Sequence, residues 1–370
     1  MSDGPDDEPL RRTALFDAHR ALGGRIVPFG GFEMPVQYAG ILAEHDAVRH
    51  RAGLFDLSHM AQFELRGDDV GAWADTLTCN HVATMKPLQA RYNIFTNDAG
   101  GAYDDVIFYR LPDRWLLVVN AANAGKMWTH LNARRSGDVR LTSRHGDDAL
   151  IAIQGPKSLA MLAPFVDGDL AAMKYYTCIE ATIGGVRGVV ARTGYTGEDG
   201  FELFVPGDAA VGIWDALLAD NRDAGLAPCG LGARDVLRLE AGMPLYGHEL
   251  TDEITPLQAG MAWVVKFGKP AIAGRDALDV QAREDRFPRI AGLVLDGRVP
   301  ARAGYPVKLG AVVAGEVRSG SIAPSFGNKS VATALLEKSA ATVGTRLSVE
   351  VRGTEHAAGV VALPFYKRSV

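Results

Sequence analysis

The chain has 370 residues, of which 47% are hydrophobic and 22% are charged, and its formal net charge is −5. This composition is that of a globular protein long enough for two or three domains. The acidic balance argues against nucleic-acid binding, and the chain contains no apolar run of transmembrane length. The three well-separated cysteines favour free thiols in a reducing, cytoplasmic compartment.

Hydrophobic periodicity and turn residues predict alternating helices and strands up to residue 255, after an acidic tip at 1–9 that we expect to be disordered. In chain order the elements are a helix at 41–51 stopped by Gly53, a helix at 68–77, strands at 92–96, 106–109 and 115–119, a helix at 124–134, a strand at 149–153, a helix at 157–162, strands at 186–191 and 201–205, and helices at 209–219 and 233–241.

The sequence pattern changes after about residue 255. Short strands at 290–295, 312–319 and 347–351 are separated by Gly and Pro turns, and little helix is expected beyond 275–283. This pattern is typical of a mostly β domain, either a sandwich or a barrel.

The segment from Arg192 to Glu202 is the most informative in the chain. Its glycines at 194, 197 and 200 allow tight turns or a close approach to a ligand. The following strand puts Glu202 on the same face as Phe204, where a carboxylate needs a partner. The segment therefore predicts a site for a flat ligand with a polar edge.

Two further sites carry charges in unusual places. Asp104 and Asp105 open a hairpin strand, so period-2 alternation turns one of them toward a less solvated face. A pair of solvated turn acids is the simpler interpretation. Arg234 lies in the first turn of a helix, where a cation opposes the helix dipole, and either a binding site or an ion pair with Asp235 or Glu240 explains it.

Several common motifs are missing. There is no G-x-G-x-x-G or G-x-S-x-G, Gly268-Lys269 is followed by Pro270 rather than completing a P-loop, and Asp252 breaks a possible H-E-x-x-H that starts at His248. Flavin, metal and serine-hydrolase functions are therefore disfavoured.

Six segments, in this order, resemble the aminomethyltransferase (T-protein) family of the glycine cleavage system. They are RRTALFDAHRALGGRIVPFGGFEMPVQY from Arg11, GLFDLSHM from Gly53, NDAGGAYDDVIFYR from Asn97, ALIAIQGP from Ala149, RTGYTGEDGFELFV from Arg192 and CGLGARDVLRLEAGMPLYGHEL from Cys229. The resemblance runs from about Leu10 to the C-terminus.

The resemblance implies an α+β protein with three domains arranged as a cloverleaf around a central folate-binding hole. Domain 1 would be discontinuous, at 10–60 and 145–255, with domain 2 inserted at 61–144. Domain 3, at 256–370, would be a β jelly-roll or barrel, in agreement with the pattern of its strands.

The resemblance also implies an activity, the conversion of an aminomethyl group on the dihydrolipoyl arm of H-protein into 5,10-methylenetetrahydrofolate, with release of ammonia. Tetrahydrofolate would be the co-substrate, with no metal, flavin, nucleic acid or membrane involved. We expect a monomer or weak oligomer.

Carried over residue by residue, the resemblance assigns Asp105 as the catalytic group. The folate-binding positions would be Met60, Tyr92, Tyr195, Glu202, Arg234 and, more weakly, Arg368. Glu198 and Asp199 are then interpreted as turn residues.

Three alternatives remain open. The leading one is a tetrahydrofolate-dependent demethylase that acts on a small-molecule methyl donor. The second is the folate domain of sarcosine or dimethylglycine oxidases, which the missing G-x-G-x-x-G disfavours. The third is a non-enzymatic assembly factor of the same superfamily, whose K-G-C-x-x-G-Q-E pattern does not fit the residues around Cys229.

Overall fold

The computed structural model describes residues 9–368. Its helices are α1 (Phe16–Ala21), α2 (Ile41–His50), α3 (Val70–Leu77), α4 (Ala124–Ala133), α5 (Ser158–Leu162), α6 (Ala210–Asp220), α7 (Leu231–Glu240) and α8 (Arg275–Glu284). Its strands are β1 (Arg25–Phe29), β2 (Phe32–Gln37), β3 (Ala52–Asp56), β4 (Ala61–Arg66), β5 (Gln89–Thr96), β6 (Ala102–Arg110), β7 (Trp115–Val119), β8 (Arg140–Ser143), β9 (Asp148–Gln154), β10 (Val166–Asp167), β11 (Cys178–Ile183), β12 (Val186–Ala191), β13 (Gly200–Pro206), β14 (Leu226–Pro228), β15 (Arg289–Leu295), β16 (Pro306–Leu309), β17 (Val312–Ala323), β18 (Lys329–Leu336), β19 (Arg346–Val351) and β20 (Thr354–Val361).

The described residues fall into two compact units. The first contains the chain up to Ala74 together with Val82–Tyr92 and Val106–Asp235, and the second contains Asp75–His81, Asn93–Asp105 and the chain from Val236 onward. The boundary falls within α3, β5, β6 and α7. The predicted three-domain division stays a prediction, and all of the predicted disordered tip except Pro9 lies outside the described residues.

A seven-stranded sheet forms the centre of the first unit, in the order β10-β11-β12-β13-β9-β3-β14. Strand β13 pairs antiparallel with β9, so Glu202 lies opposite Ala152. Phe201, Leu203 and Val205 enter a core that also contains Trp214. Because side chains alternate along a strand, Glu202 and Phe204 share the opposite face, as the sequence predicts.

The first unit also contains the two-stranded sheet β1-β2, and it contributes to a five-stranded sheet in the order β5-β6-β7-β4-β8. Strands β4 and β7 pair antiparallel, as do β6 and β7. The predicted strands at 92–96, 106–109 and 115–119 lie within β5, β6 and β7, so this part of the secondary structure is confirmed.

The second unit contains a closed barrel in the order β15-β18-β17-β16-β19-β20. Its interior is filled by inward-facing side chains of the barrel strands, among them Leu293, Val317, Ala334 and Val349, which are fully buried. The mixed α and β fold and the C-terminal barrel predicted from the sequence are confirmed.

One predicted turn residue lies in a strand instead. Helix α2 ends at His50, and Gly53 lies in β3. A Cβ atom at Gly53 would lie 2.5 Å from Val48 Cγ2 and 2.6 Å from Cys229 Sγ. The glycine is therefore required by close packing on β3 rather than by a helix end.

None of the helices in residues 9–368 combines the length and the apolar character needed to span a membrane.

Candidate active site

Glu202 is a buried carboxylate, and one of its oxygens accepts two hydrogen bonds from neighbouring side chains. Tyr109 Oη donates to Oε2 over 3.0 Å, and Thr193 Oγ1 donates to the same oxygen over 2.5 Å. Burial and the charge of Glu202 raise the pKa of Tyr109 well above its ordinary value, so its hydroxyl remains a donor. Within residues 9–368, no group donates to Oε1 of Glu202, so that oxygen can accept from a ligand.

The segment 193–199 between β12 and β13 is held by ion pairs. Arg49 Nη1 donates to the Thr196 carbonyl over 2.7 Å and to Glu198 Oε1 over 2.8 Å. Arg192 binds both carboxylate oxygens of Asp199, at 3.0 and 2.5 Å. Glu198 and Asp199 lie in the turn segment between β12 and β13, and each is also one half of an ion pair that fixes the segment.

Tyr195 and Arg234, both predicted site residues, are in direct contact. The guanidinium carbon of Arg234 lies 4.6 Å from the centroid of the Tyr195 ring. Such a cation–π contact contributes about 0.5–2 kcal/mol, depending on its exposure. Both residues are half-buried, so part of each remains exposed.

Met60 follows a turn that is fixed by a buried acid. Asp56 ends β3 and accepts hydrogen bonds from the Ser58 N–H at 2.8 Å, from His19 Nε2 at 2.9 Å and from Thr13 Oγ1 at 2.7 Å. The Met60 N–H then donates to the Leu57 carbonyl over 3.0 Å. Met60, which is half-buried, is therefore positioned by a network centred on Asp56.

Replacing Asp56 by Asn should lower the free energy of unfolding by about 1.5–3 kcal/mol at pH 7, because it removes hydrogen bonds to a buried charge. Burial alone would raise the pKa of Asp56, but the hydrogen bond and charge of His19 lower it overall. The stabilisation is therefore present above the unfolded pKa of about 3.9 and is lost as the pH falls through the lower folded value.

Urea denaturation of the wild type and of Asp56→Asn at pH 7 and at pH 3 measures this effect. The difference between the two proteins should shrink at the lower pH. The exposed Asp46 gives a control, since Asp46→Asn should change stability by less than about 0.5 kcal/mol. A constant difference across this pH range would show that the Asp56 charge does not stabilise the fold.

His59 precedes Met60 and is buried, with its ring edge-on to Phe29 at 5.4 Å between centroids. Burial lowers its pKa to about 4, with Asp56 opposing and the charge of Arg234 reinforcing the shift. His59 is therefore neutral at physiological pH, and no described residue hydrogen-bonds to its Nδ1. A neutral imidazole adds no further positive charge to the surroundings of Arg234.

The remaining predicted residues lie as follows. In β6 the burial alternates as expected, with Asp104 fully buried and Asp105 half-buried. Asp105 and Arg368 belong to the second unit, and Tyr92 belongs to the first. Tyr92 and Arg368 are both half-buried. Their roles remain predictions.

Sequence analysis missed four residues of the first unit that contact Glu202 or the segment 193–199: Tyr109, Thr193, Gln154 and Arg49. Each contacts the segment or Glu202 from a distant part of the chain, except Thr193, which is a neighbour in sequence. The available signal was that Gln154 is polar at the end of an apolar strand, next to Gly155 and Pro156.

Two protein-family models match nearly the whole chain. The family described as the GCVT N-terminal domain matches residues 15–269, and the glycine cleavage T-protein C-terminal barrel domain matches residues 289–367. The latter match contains the closed barrel of the second unit.

Individual relatives extend this agreement. The chain is 46% identical to an aminomethyltransferase of Streptomyces coelicolor, covering 97% of this chain and 98% of the relative. It is also 46% identical to an aminomethyltransferase of Deinococcus deserti, covering 97% of each.

A solved structure shows the same fold. The glycine cleavage system aminomethyltransferase T from Bartonella henselae superposes with a TM-score of 0.90 at 32% identity, covering 97% of this chain and 98% of that one. Two family models that together span most of the chain, and full-length relatives above 40% identity, lead to one conclusion. The chain belongs to the aminomethyltransferase (T-protein) family of the glycine cleavage system and is a transferase.

Proposed function

We propose that this protein transfers the one-carbon unit of an aminomethyl group, carried on the dihydrolipoyl arm of H-protein, to tetrahydrofolate. The carbon leaves sulfur and nitrogen and becomes bonded to N5 and N10 of the folate. The two folate N–H protons end on the lipoyl thiol and on ammonia, so the reaction needs no oxidant or reductant. Family membership supports this reaction class, and the six sequence segments carry the residue types that it requires.

The observation that carries the proposal is the carboxylate of Glu202. A pterin presents an amino group beside a ring N–H, two donors on one edge. Glu202 is buried, its Oε2 is held by Tyr109 and Thr193, and its Oε1 accepts from no described residue. A fixed carboxylate of this kind suits the pterin edge, with charge-assisted hydrogen bonds of about 1.5–3 kcal/mol each.

Other residues would complete the folate site. Tyr195 would supply an aromatic face, with the guanidinium carbon of Arg234 4.6 Å from its ring centroid. Arg234 would also hold a polar edge of folate or a site carboxylate. Met60, Tyr92 and Arg368 would line the site, as the family resemblance implies.

Asp105 would be the catalytic group. Loss of ammonia or thiolate leaves a cationic iminium-like carbon, and a fixed anion stabilises that charge. The same carboxylate would orient the folate nitrogen that attacks the carbon. Positioned acid–base groups contribute roughly 10²–10⁴-fold to rates, and preorganised charge adds to this.

The test is the release of ammonia and methylenetetrahydrofolate from aminomethylated H-protein, measured together. Both products should appear in equal amounts and only when H-protein carries its lipoyl arm. Turnover of a free methyl donor with tetrahydrofolate, in the absence of H-protein, would instead identify the demethylase. The cytoplasmic location and the monomeric or weakly oligomeric state stay predictions.

A further inference from the structure

Gln154 lies beneath the segment that carries Tyr195. It ends β9 and is 1% exposed. Its Nε2 donates to the Thr193 carbonyl over 3.0 Å, and its Oε1 accepts from Thr196 Oγ1 over 3.1 Å. One side chain thus binds the segment on both sides of Tyr195 without reaching the surface itself.

The segment is shaped to receive this side chain. A Cβ atom at Gly194 would lie 1.9 Å from Gln154 Oε1, and one at Gly200 would lie 2.4 Å from Gln154 Nε2. The three nearest atoms to a Cβ at Gly194 all belong to Gln154, and Gly194 does not have the positive φ that requires glycine. Two of the three regularly spaced glycines are therefore explained by the volume of Gln154.

Other contacts fix the far end of the segment. Glu198 is bound by Arg49, its N–H donates to Thr196 Oγ1 over 3.2 Å, and the Gly155 N–H donates to the Asp199 carbonyl over 2.8 Å. Tyr195 lies between the two ends of the segment that these contacts hold. Its aromatic side chain is half-buried, and Arg234 makes a cation–π contact with its ring.

We infer that Gln154 is a positioning residue, which holds segment 193–199 so that Tyr195 presents its ring to the pterin of tetrahydrofolate. The inference rests on the proposed function for the identity of the ligand. Gln154 is only 1% exposed and binds the segment through both of its polar atoms, so we assign it no direct contact with the ligand. Its effect on binding passes through Tyr195.

The first experiment is a double-mutant cycle on tetrahydrofolate affinity, with Gln154→Leu and Tyr195→Leu. Gln154→Leu keeps much of the volume and removes both hydrogen bonds. It should weaken binding by about threefold to tenfold, the value of one well-placed aromatic contact. In the Tyr195→Leu background the same change should have an effect of less than about twofold, since coupled residues are not additive.

The control for general destabilisation is Asn221→Leu. Asn221 is another buried amide of the first unit, and it donates to the carbonyls of Met161 and Leu217. This variant should lower the melting temperature and leave tetrahydrofolate affinity unchanged. An equal loss of affinity from Gln154→Leu in both Tyr195 backgrounds would overturn the inference.

A second experiment needs no ligand. Gly194→Ala should lower the urea midpoint, because the three atoms nearest to the new methyl group all belong to the Gln154 side chain. In a Gln154→Ala background, where that side chain is absent, Gly194→Ala should cause little further loss. An equal loss in both backgrounds would contradict the packing of Gln154 on Gly194.

The two experiments separate two kinds of failure. If the wild type does not bind tetrahydrofolate at all, the proposed function is wrong, and the coupling between Gly194 and Gln154 is still measured by denaturation. If the wild type binds and the affinity cycle is additive, the proposed function stands and the positioning role of Gln154 is wrong.

Discussion

Asp105→Asn should abolish most turnover, by roughly 10²–10⁴-fold, while tetrahydrofolate affinity stays within a few-fold of the wild type. The amide keeps the shape of the side chain but lacks the negative charge that would stabilise the iminium-like carbon. Asp105 is half-buried on the less buried face of β6, so the substitution does not place a new polar group in the core. The measurement is ammonia and methylenetetrahydrofolate release from aminomethylated H-protein, beside a binding titration.

The matched control is Asp98→Asn, in the exposed turn of the same hairpin. It should leave both turnover and affinity unchanged. If Asp105→Asn keeps more than about a tenth of wild-type turnover, a contribution of the size expected for acid–base catalysis is absent and Asp105 is not the catalytic group.

Glu202→Gln should weaken tetrahydrofolate binding by about 1.5–3 kcal/mol, roughly 10- to 150-fold. The substitution replaces a charged acceptor with an amide that has only one acceptor oxygen. At saturating tetrahydrofolate, kcat should change by less than a few-fold, because Glu202 binds the pterin edge rather than the reacting carbon.

Gln is preferable to Ala at this position for a structural reason. Glu202→Ala leaves the buried hydroxyls of Tyr109 and Thr193 without their acceptor, at a cost of about 1–3 kcal/mol of stability each. Glu180→Gln, at a half-buried acid of β11 that pairs with Arg114 at 2.9 Å, is the control and should not alter affinity. Unchanged affinity in Glu202→Gln would reject the assignment of Glu202 to the pterin edge.

The chain order of helices and strands was largely determined by local sequence. Period-2 alternation placed Glu202 with Phe204 and separated Asp104 from Asp105, and both arrangements are present in the structure. The Gly and Pro turns after residue 255 indicated a barrel or sandwich, and a closed barrel is observed. These features depend on neighbours within a few residues, which a sequence pattern records.

The tertiary structure alone decided what surrounds the candidate site. Tyr109 reaches Glu202 across 93 residues, and Arg49 reaches Thr196 across 147. These contacts arise from strand pairing and helix packing, so no local period predicts them. For the same reason the sequence did not reveal the ion pairs of Glu198 and Asp199 or the close packing around Gly53.

The glycine-rich segment shows most clearly which features local sequence predicts and which depend on tertiary packing. The spacing of its glycines predicts that the backbone between 192 and 202 turns tightly beside an aromatic ring and an acid. The fold determined why two of those glycines are needed, because the buried side chain of Gln154 occupies the space that any larger residue would fill. Steric exclusion by a residue about 40 positions away is a property of packing, and it becomes visible only when β9 and β13 lie side by side.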